Sequence, residues 1–302
     1  MTDIKKHLYI FPERIRTALL AFQDWSEISE IRLRRDLPLS LTGFSGNLFL
    51  SEKGCVCGIK NALCATSDEI RRLISSFCKG NMYRYFDTLK EGYLVDEDGF
   101  RLSVYPEKGR ISSLLPEQFE GASLRFARNV PGASNSFLRL FPERTPVSTL
   151  IVSPPGGGKT TLLRDLAVVL SRGEKGFSPT RVAVIDEKNE IFPAAMVKEA
   201  GLCDHLCGYQ KGEGITLATR LLAPQVIICD EIGSQEEGEA VLSAVNCGCV
   251  FYASAHGKSL DEIQRKPFLK HLLDFGVFDA VVIMTPVKGK GFGVKMERID
   301  LL

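Results

Sequence analysis

Ser153-Pro154-Pro155-Gly156-Gly157-Gly158-Lys159-Thr160-Thr161 follows the apolar run Thr149-Leu150-Ile151-Val152 and leads into Leu162-Leu163-Arg164-Asp165-Leu166-Ala167-Val168-Val169-Leu170. The run before the loop reads as a buried strand and the stretch after it as a helix. Strand, glycine loop and helix in this order make a phosphate cradle. Glycines at 156, 157 and 158 let backbone N–H groups turn inward toward phosphate oxygens, where a Cβ would obstruct them. Lys159 reaches for the β- and γ-phosphates, and the Thr160 hydroxyl is placed for Mg²⁺. Pro155 and Thr161 complete the binding loop. The G-x-x-x-x-G-K-[ST] pattern is broken once, by Ser153 in the first glycine place. A serine serves there if it keeps β-region dihedrals. These residues predict a bound nucleoside triphosphate.

Working outward, Val226-Ile227-Ile228-Cys229-Asp230-Glu231 is a buried-strand run ending in two acids. Parallel strands deliver their C-terminal residues to the ligand edge of a sheet, beside the phosphate loop. There Asp230 is expected to hold hydrated Mg²⁺ and Glu231 to orient and activate the attacking water. A second acidic strand end, Asp186-Glu187-Lys188-Asn189-Glu190, follows Arg181-Val182-Ala183-Val184-Ile185. Two such acidic strand ends in one nucleotide domain suggest that both point at the metal or the water, and Glu187 is the catalytic candidate of this one. Val250 to Gly257 places His256 at another strand end on the same edge, as a candidate γ-phosphate sensor.

Strand candidates at 149–153, 181–185, 225–229, 249–254 and 279–284, with helical stretches between the first four, predict an α/β domain over 147–302 with a doubly wound, mostly parallel sheet. Residues 1–128 read as a smaller α+β domain. Pro12 is expected at the first position of a helix, strands alternate through 28–41, Thr66 and Glu69 form a capping box, and Asp96-Glu97-Asp98-Gly99 marks a hairpin. Ser123 to Arg128 reads as its last strand. Residues 129–146, with Pro131, Gly132, Pro142 and Pro146, read as a linker around the apolar patch Phe137–Phe141.

The 302 residues carry 38 Lys+Arg against 37 Asp+Glu, a formal charge of +1, so no basic excess advertises nucleic acid. A nucleic-acid-dependent ATPase, helicase- or recombinase-like, is the alternative sharing these motifs, but it would want a basic groove with aromatics. No apolar run reaches the length of a membrane span, and the expectation is a cytoplasmic protein without direct membrane insertion. Nine cysteines are expected to stay reduced. Cys203 and Cys207 flank His205, a local cluster read as small buried residues in preference to a metal site.

Taken together, the pieces resemble the secretion ATPases of type II and type IV systems. Pro154 to Thr161 looks like their Walker A, and Asp186-Glu187-x-x-Glu190 is similar to their Asp box with the first two acids inverted. Arg220 through Ile232 resembles their Walker B region, and Cys247-Gly248 through Ser254-Ala255-His256 their His box. Ser29 to Arg34 with Pro38 to Leu41 is similar to the opening of their N-terminal domains. The Lys211-Gly212-Glu213-Gly214 turn, the intact Asp230–Glu231 pair and the His256-Gly257 ending look like a sporulation branch. That branch serves the channel between mother cell and forespore of endospore-forming bacteria.

The resemblance implies a RecA-like P-loop core with a PAS-like N-terminal domain, and ATP with Mg²⁺ as the ligands. It also implies a homo-hexameric ring and docking to a membrane-anchored channel or secretion partner, so that the protein is peripheral to the inner membrane. An arginine answering the phosphates is implied too, with Arg125, Arg128 and Arg220 as candidates. The four-cysteine zinc module of some relatives is absent, so no metal beyond Mg²⁺ is implied. Phe11, Phe22, Trp25 and Tyr83 are candidates for the docking surface, each weighed against a place in the core.

Overall fold

The computed structural model describes residues 4–25, 28–43, 46–96, 100–106, 119–126, 130–287 and 291–298. Chain contacts divide it between Arg128 and Asn129 into two units. The N-terminal unit contains α1 (Glu13–Ala21), β1 (Ile28–Arg34), β2 (Leu37–Gly43), β3 (Gly46–Leu50), β4 (Val56–Cys57), α2 (Ser67–Phe77), α3 (Phe86–Lys90), β5 (Tyr93–Val95), β6 (Arg101–Pro106) and β7 (Phe119–Arg125). Its strands form one antiparallel sheet in the order β4-β3-β2-β1-β7-β6-β5.

Alternation sorts the faces of that sheet. Ile31 and Leu33 join Leu41, Leu102 and Leu124 in the core, together with Ile70, Leu73 and Ile74 of α2. The capping box exists as predicted: Glu69 N–H donates to Thr66 Oγ1, and Thr66 N–H to Glu69. Residues 97–99 of the expected hairpin turn lie outside the described residues, while β5 and β6 pair antiparallel on either side. Phe11, Phe22 and Trp25 are buried in the core, whereas Tyr83 is exposed.

The C-terminal unit contains α4 (Asn135–Leu138), β8 (Thr149–Ser153), α5 (Lys159–Arg172), β9 (Val182–Asp186), β10 (Asp204–Cys207), α6 (Lys211–Leu221), β11 (Val226–Cys229), α7 (Gln235–Asn246), β12 (Val250–His256), α8 (Leu260–Gln264), α9 (Pro267–Asp274), β13 (Ala280–Val287) and β14 (Gly291–Arg298). The sheet order is β10-β9-β11-β12-β8-β13-β14, parallel except for β14. Every residue of β8, β9 and β11 is buried, as continuous Val/Ile/Leu runs require when helices cover both faces. Among the described residues no helix is long and apolar enough to cross a membrane.

Two features correct the sequence reading. The stretch expected to be a linker is packed into the C-terminal unit from residue 130 onward. Phe137, Leu138 and Phe141 are buried, and the Phe137 ring meets Tyr252 edge-on at 6.0 Å. Asp165 of α5 accepts from Gly132 N–H and Ser134 N–H, each at 2.8 Å, and from the Ser134 hydroxyl. Proline and glycine set the path of this segment, but its aromatic patch and this anchored carboxylate hold it down. The sheet also gains two edge strands, β10 and β14, whose polar residues gave no apolar run to read.

Candidate active site

The glycine loop starts from β8. Ser153 is its last residue, fully buried and in strand conformation, which meets the condition for a serine in that position. The chain then turns with Gly157 N–H donating to Pro154 O at 3.1 Å, and α5 starts from Gly158 at φ +90°, a left-handed value that suits glycine. No side chain caps that helix. Its first N–H groups, which have no intrahelical acceptor, face the loop as an anion cradle. A Cβ at Gly157 would lie 1.7 Å from Ser153 Oγ, so any larger residue there forces Ser153 or the loop to move.

Lys159 is 5% exposed and folds back over the loop. Its ammonium donates to Ser153 O at 3.2 Å and lies 3.0 Å from His256 Nδ1. Burial pushes the Lys159 pKa below the usual lysine range, against the attraction of Asp230 and Glu231. A buried positive group held by neutral carbonyl acceptors is ready to exchange them for phosphate oxygens.

Parallel register brings the remaining groups to the same edge. Cys229 pairs with Ala253, and His256 pairs with Ser153. Asp230 therefore stands beside Ser254, whose hydroxyl donates to Asp230 Oδ1, while the Thr160 hydroxyl donates to Asp230 Oδ2 at 2.5 Å. Hydroxyl and carboxylate oxygens converging beside an uncapped helix N-terminus fit a hard divalent cation such as Mg²⁺.

Glu231 is next. Its carboxylate Oε1 lies 2.6 Å from His256 Nε2, its N–H donates to Ser254 Oγ at 3.0 Å, and its carbonyl accepts from Lys211 Nζ at 2.5 Å. His256 thus spans Lys159 and Glu231, with Nδ1 toward the first and Nε2 toward the second. With Nδ1 as acceptor and Nε2–H as donor, the neutral imidazole satisfies both contacts.

The structure accordingly gathers Lys159, Thr160, Asp230, Glu231 and His256, with Pro155, Gly156, Gly157, Gly158 and Thr161 in the loop and its helix start. Glu187 stands one step away, 3.9 Å from Lys211 Nζ. Arg220 lies on α6, nine residues beyond Lys211 and so about 13 Å along the helix, where it lines a cleft of about 740 Å³ between α6 and α7. Arg125 is in the N-terminal unit, its Nε 3.3 Å from the buried Glu30 carboxylate. Arg128 lies outside the described residues.

Asp186 departs from expectation. Expected to point at metal or water, its buried carboxylate instead accepts from Glu190, Ile191 and Phe192 N–H and meets His205 Nε2 at 3.2 Å. Burial alone would raise its pKa; the bond from His205 and those backbone N–H groups overcome this and hold it below the usual carboxylate range. Asp186 is a turn anchor. His205 is occupied by that contact and by the edge of Phe192, 5.9 Å between ring centroids.

Sequence reading gave no individual role to Ser254, Lys211 or Phe292. Phe292 of β14 lies against Gly158, where a Cβ would come within 3.0 Å of its ring. A serine two residues before a strand-end histidine was the one local signal for Ser254; the other two act only through the tertiary fold.

Comparison with known proteins places these observations among relatives. The sequence matches the family model for sporulation stage III, protein AA over residues 3–298. It is 31% identical over 296 residues to stage III sporulation protein AA of Bacillus subtilis (strain 168), covering 93% of this chain and 91% of that one. Among solved structures, the Legionella pneumophila ATPase DotB aligns with TM-score 0.57 at 16% identity, over 95% of this chain and 81% of its own. The pilus retraction motor PilT, solved with ADP, aligns with TM-score 0.54 at 17% identity, over 89% and 78%. At such identities the likeness is one of fold, a mixed α/β architecture built on sheets.

Proposed function

The chain belongs to the sporulation stage III protein AA family, and from that premise we propose that it is a Mg²⁺-dependent ATPase, a motor of the secretion type. It powers assembly of, or transport through, the channel between mother cell and forespore during endospore formation. The observation that carries the reading is the chain of contacts from Lys159 through His256 to Glu231, beside the Thr160–Asp230 pair.

Each residue has a part that its surroundings support. The loop N–H groups and Lys159 bind the triphosphate. Thr160 and, through water, Asp230 would hold Mg²⁺, which when bound neutralises phosphate charge. Transfer of the Lys159 ammonium to phosphate releases His256 Nδ1. The loaded state of the loop is thereby felt at Nε2, where His256 holds the Glu231 carboxylate. Glu231, freed to meet water, takes its proton, with Glu187 the alternative base. One of Arg125, Arg128 and Arg220 spreads charge on the transferring phosphoryl group. In this reading the protein acts as a homo-hexameric ring, reaching the membrane through an anchored partner without inserting itself.

Lys159→Ala and Glu231→Gln test the roles. Lys159→Ala is expected to weaken triphosphate binding. Glu231→Gln is expected to keep binding and lose turnover by about a hundredfold or more. Equal losses of nucleotide affinity in both variants would show the assignment to be wrong. Turnover that depends on single-stranded DNA would favour the nucleic-acid-dependent alternative.

A further inference from the structure

Glu231 stands at φ +47°, a left-handed backbone value that side-chain-bearing residues rarely adopt and that surrounding contacts must enforce. Asp230 fixes one flank through Ser254, whose hydroxyl oxygen accepts from Glu231 N–H. The other flank is fixed by Lys211, whose ammonium donates to the Glu231 carbonyl at 2.5 Å.

Lys211 is itself well held. It is the first residue of α6, and that helix approaches β9 so closely that a Cβ on Gly214 would lie 2.8 Å from Ile185 Cγ2. Its side chain is only 14% exposed, and its ammonium faces Glu187 Oε2 at 3.9 Å and Glu237 Oε1 at 4.0 Å. Glu237 is in turn fixed by the capping box of α7, where it accepts from Ser234 N–H. One cation thus ties the end of β9, the turn after β11 and the start of α7 to a single backbone carbonyl. Loss of the ammonium would leave that carbonyl without its donor, and the turn free to relax toward an ordinary dihedral.

We propose that Lys211 is a positioning residue: it locks the backbone of Glu231 in the left-handed conformation that aims its carboxylate at His256. This rests on the ATPase reading of the site. Lys211 acts on the backbone of the base and leaves the phosphate cradle untouched, so its loss lowers kcat and leaves KM for ATP alone. Misplacing a catalytic group by about 1 Å costs on the order of a hundredfold.

The test compares Lys211→Met, Lys211→Arg, Glu231→Gln and the double variant Lys211→Met/Glu231→Gln in ATP turnover, with thermal melting alongside. Lys211→Met is expected to lose about a hundredfold in kcat at unchanged KM, with a lowered melting temperature that still leaves the protein folded at the assay temperature. Lys211→Arg restores most of that rate, and Lys211→Met adds no further loss once Glu231 is Gln. Wild-type kcat in Lys211→Met, or losses that multiply in the double variant, overturns the proposal. Absence of turnover in the wild-type protein would instead retire the ATPase reading. A crystal structure of Lys211→Met then decides: Glu231 leaving the left-handed region upholds the positioning role, and Glu231 keeping φ near +47° overturns it.

Discussion

Replacing Gly157 with alanine probes the loop at its tightest point. A Cβ there would sit 1.7 Å from Ser153 Oγ, 3.1 Å from Ser153 Cβ and 3.0 Å from Pro154 O. Gly157 is not among the residues with positive φ, so alanine meets no backbone penalty and the whole cost is steric. The offending atom belongs to Ser153, the residue that replaces glycine in the usual loop pattern. Its hydroxyl donates to Pro154 O at 3.0 Å, and β-pairing holds its backbone. Relief requires either a new Ser153 rotamer, losing a hydrogen bond worth about 0.5–1.5 kcal/mol, or movement of the loop, with overpacking costs of about 1–3 kcal/mol. At about 1.4 kcal/mol per factor of ten, triphosphate affinity should fall about two- to hundredfold. The double variant Ser153→Gly/Gly157→Ala removes the clashing atoms and should recover most of the affinity, a coupling of about 0.5–3 kcal/mol. Calorimetric titration with a non-hydrolysable ATP analogue, with melting curves alongside, reads both. Unchanged binding in Gly157→Ala, or an identical loss with and without Ser153, would refute the reasoning.

Three further outcomes are expected. Because burial lowers the Lys159 pKa and phosphate favours its charged form, ATP affinity should hold at neutral pH. It should then fall as pH rises through the depressed pKa, before the ordinary lysine range; titrations across alkaline pH that stay flat into that range would contradict this. Asp186→Asn should destabilise the protein by about 1–3 kcal/mol, because an amide cannot accept from all the backbone N–H groups that the carboxylate serves. The carboxylate pKa is depressed in the fold, so its contribution is present above the unfolded value and lost as pH falls through the folded one. Urea unfolding should therefore show the gap between wild type and Asp186→Asn closing at acid pH. Asp165→Ala frees the donors at Gly132 and Ser134, and limited proteolysis should then cut within 130–136 faster than in wild type, with no change if that segment is held by Phe137 and Phe141 alone.

The sequence by itself determined the glycine loop between β8 and α5, the acidic end of β11 and the capping box of α2. In each, the interacting groups are neighbours along the chain. Consecutive residues make the glycine turn and the uncapped helix start, and Thr66 reaches Glu69 within one helical turn. The buried strands of the core were legible too, because an apolar run must be removed from water whatever its partners. The tertiary structure alone decided which polar side chains meet. Asp186 and Glu231 end similar strands, yet one accepts three backbone N–H groups in its own turn and the other faces His256 across the sheet edge. Lys211, twenty residues from Glu231, reaches its carbonyl because Gly214 lets α6 close on β9. The segment 130–146 looks like a linker by composition and is packed because Asp165 waits on α5. A polar residue's role depends on the partner that folding brings within hydrogen-bond reach, and chain order does not encode that distance.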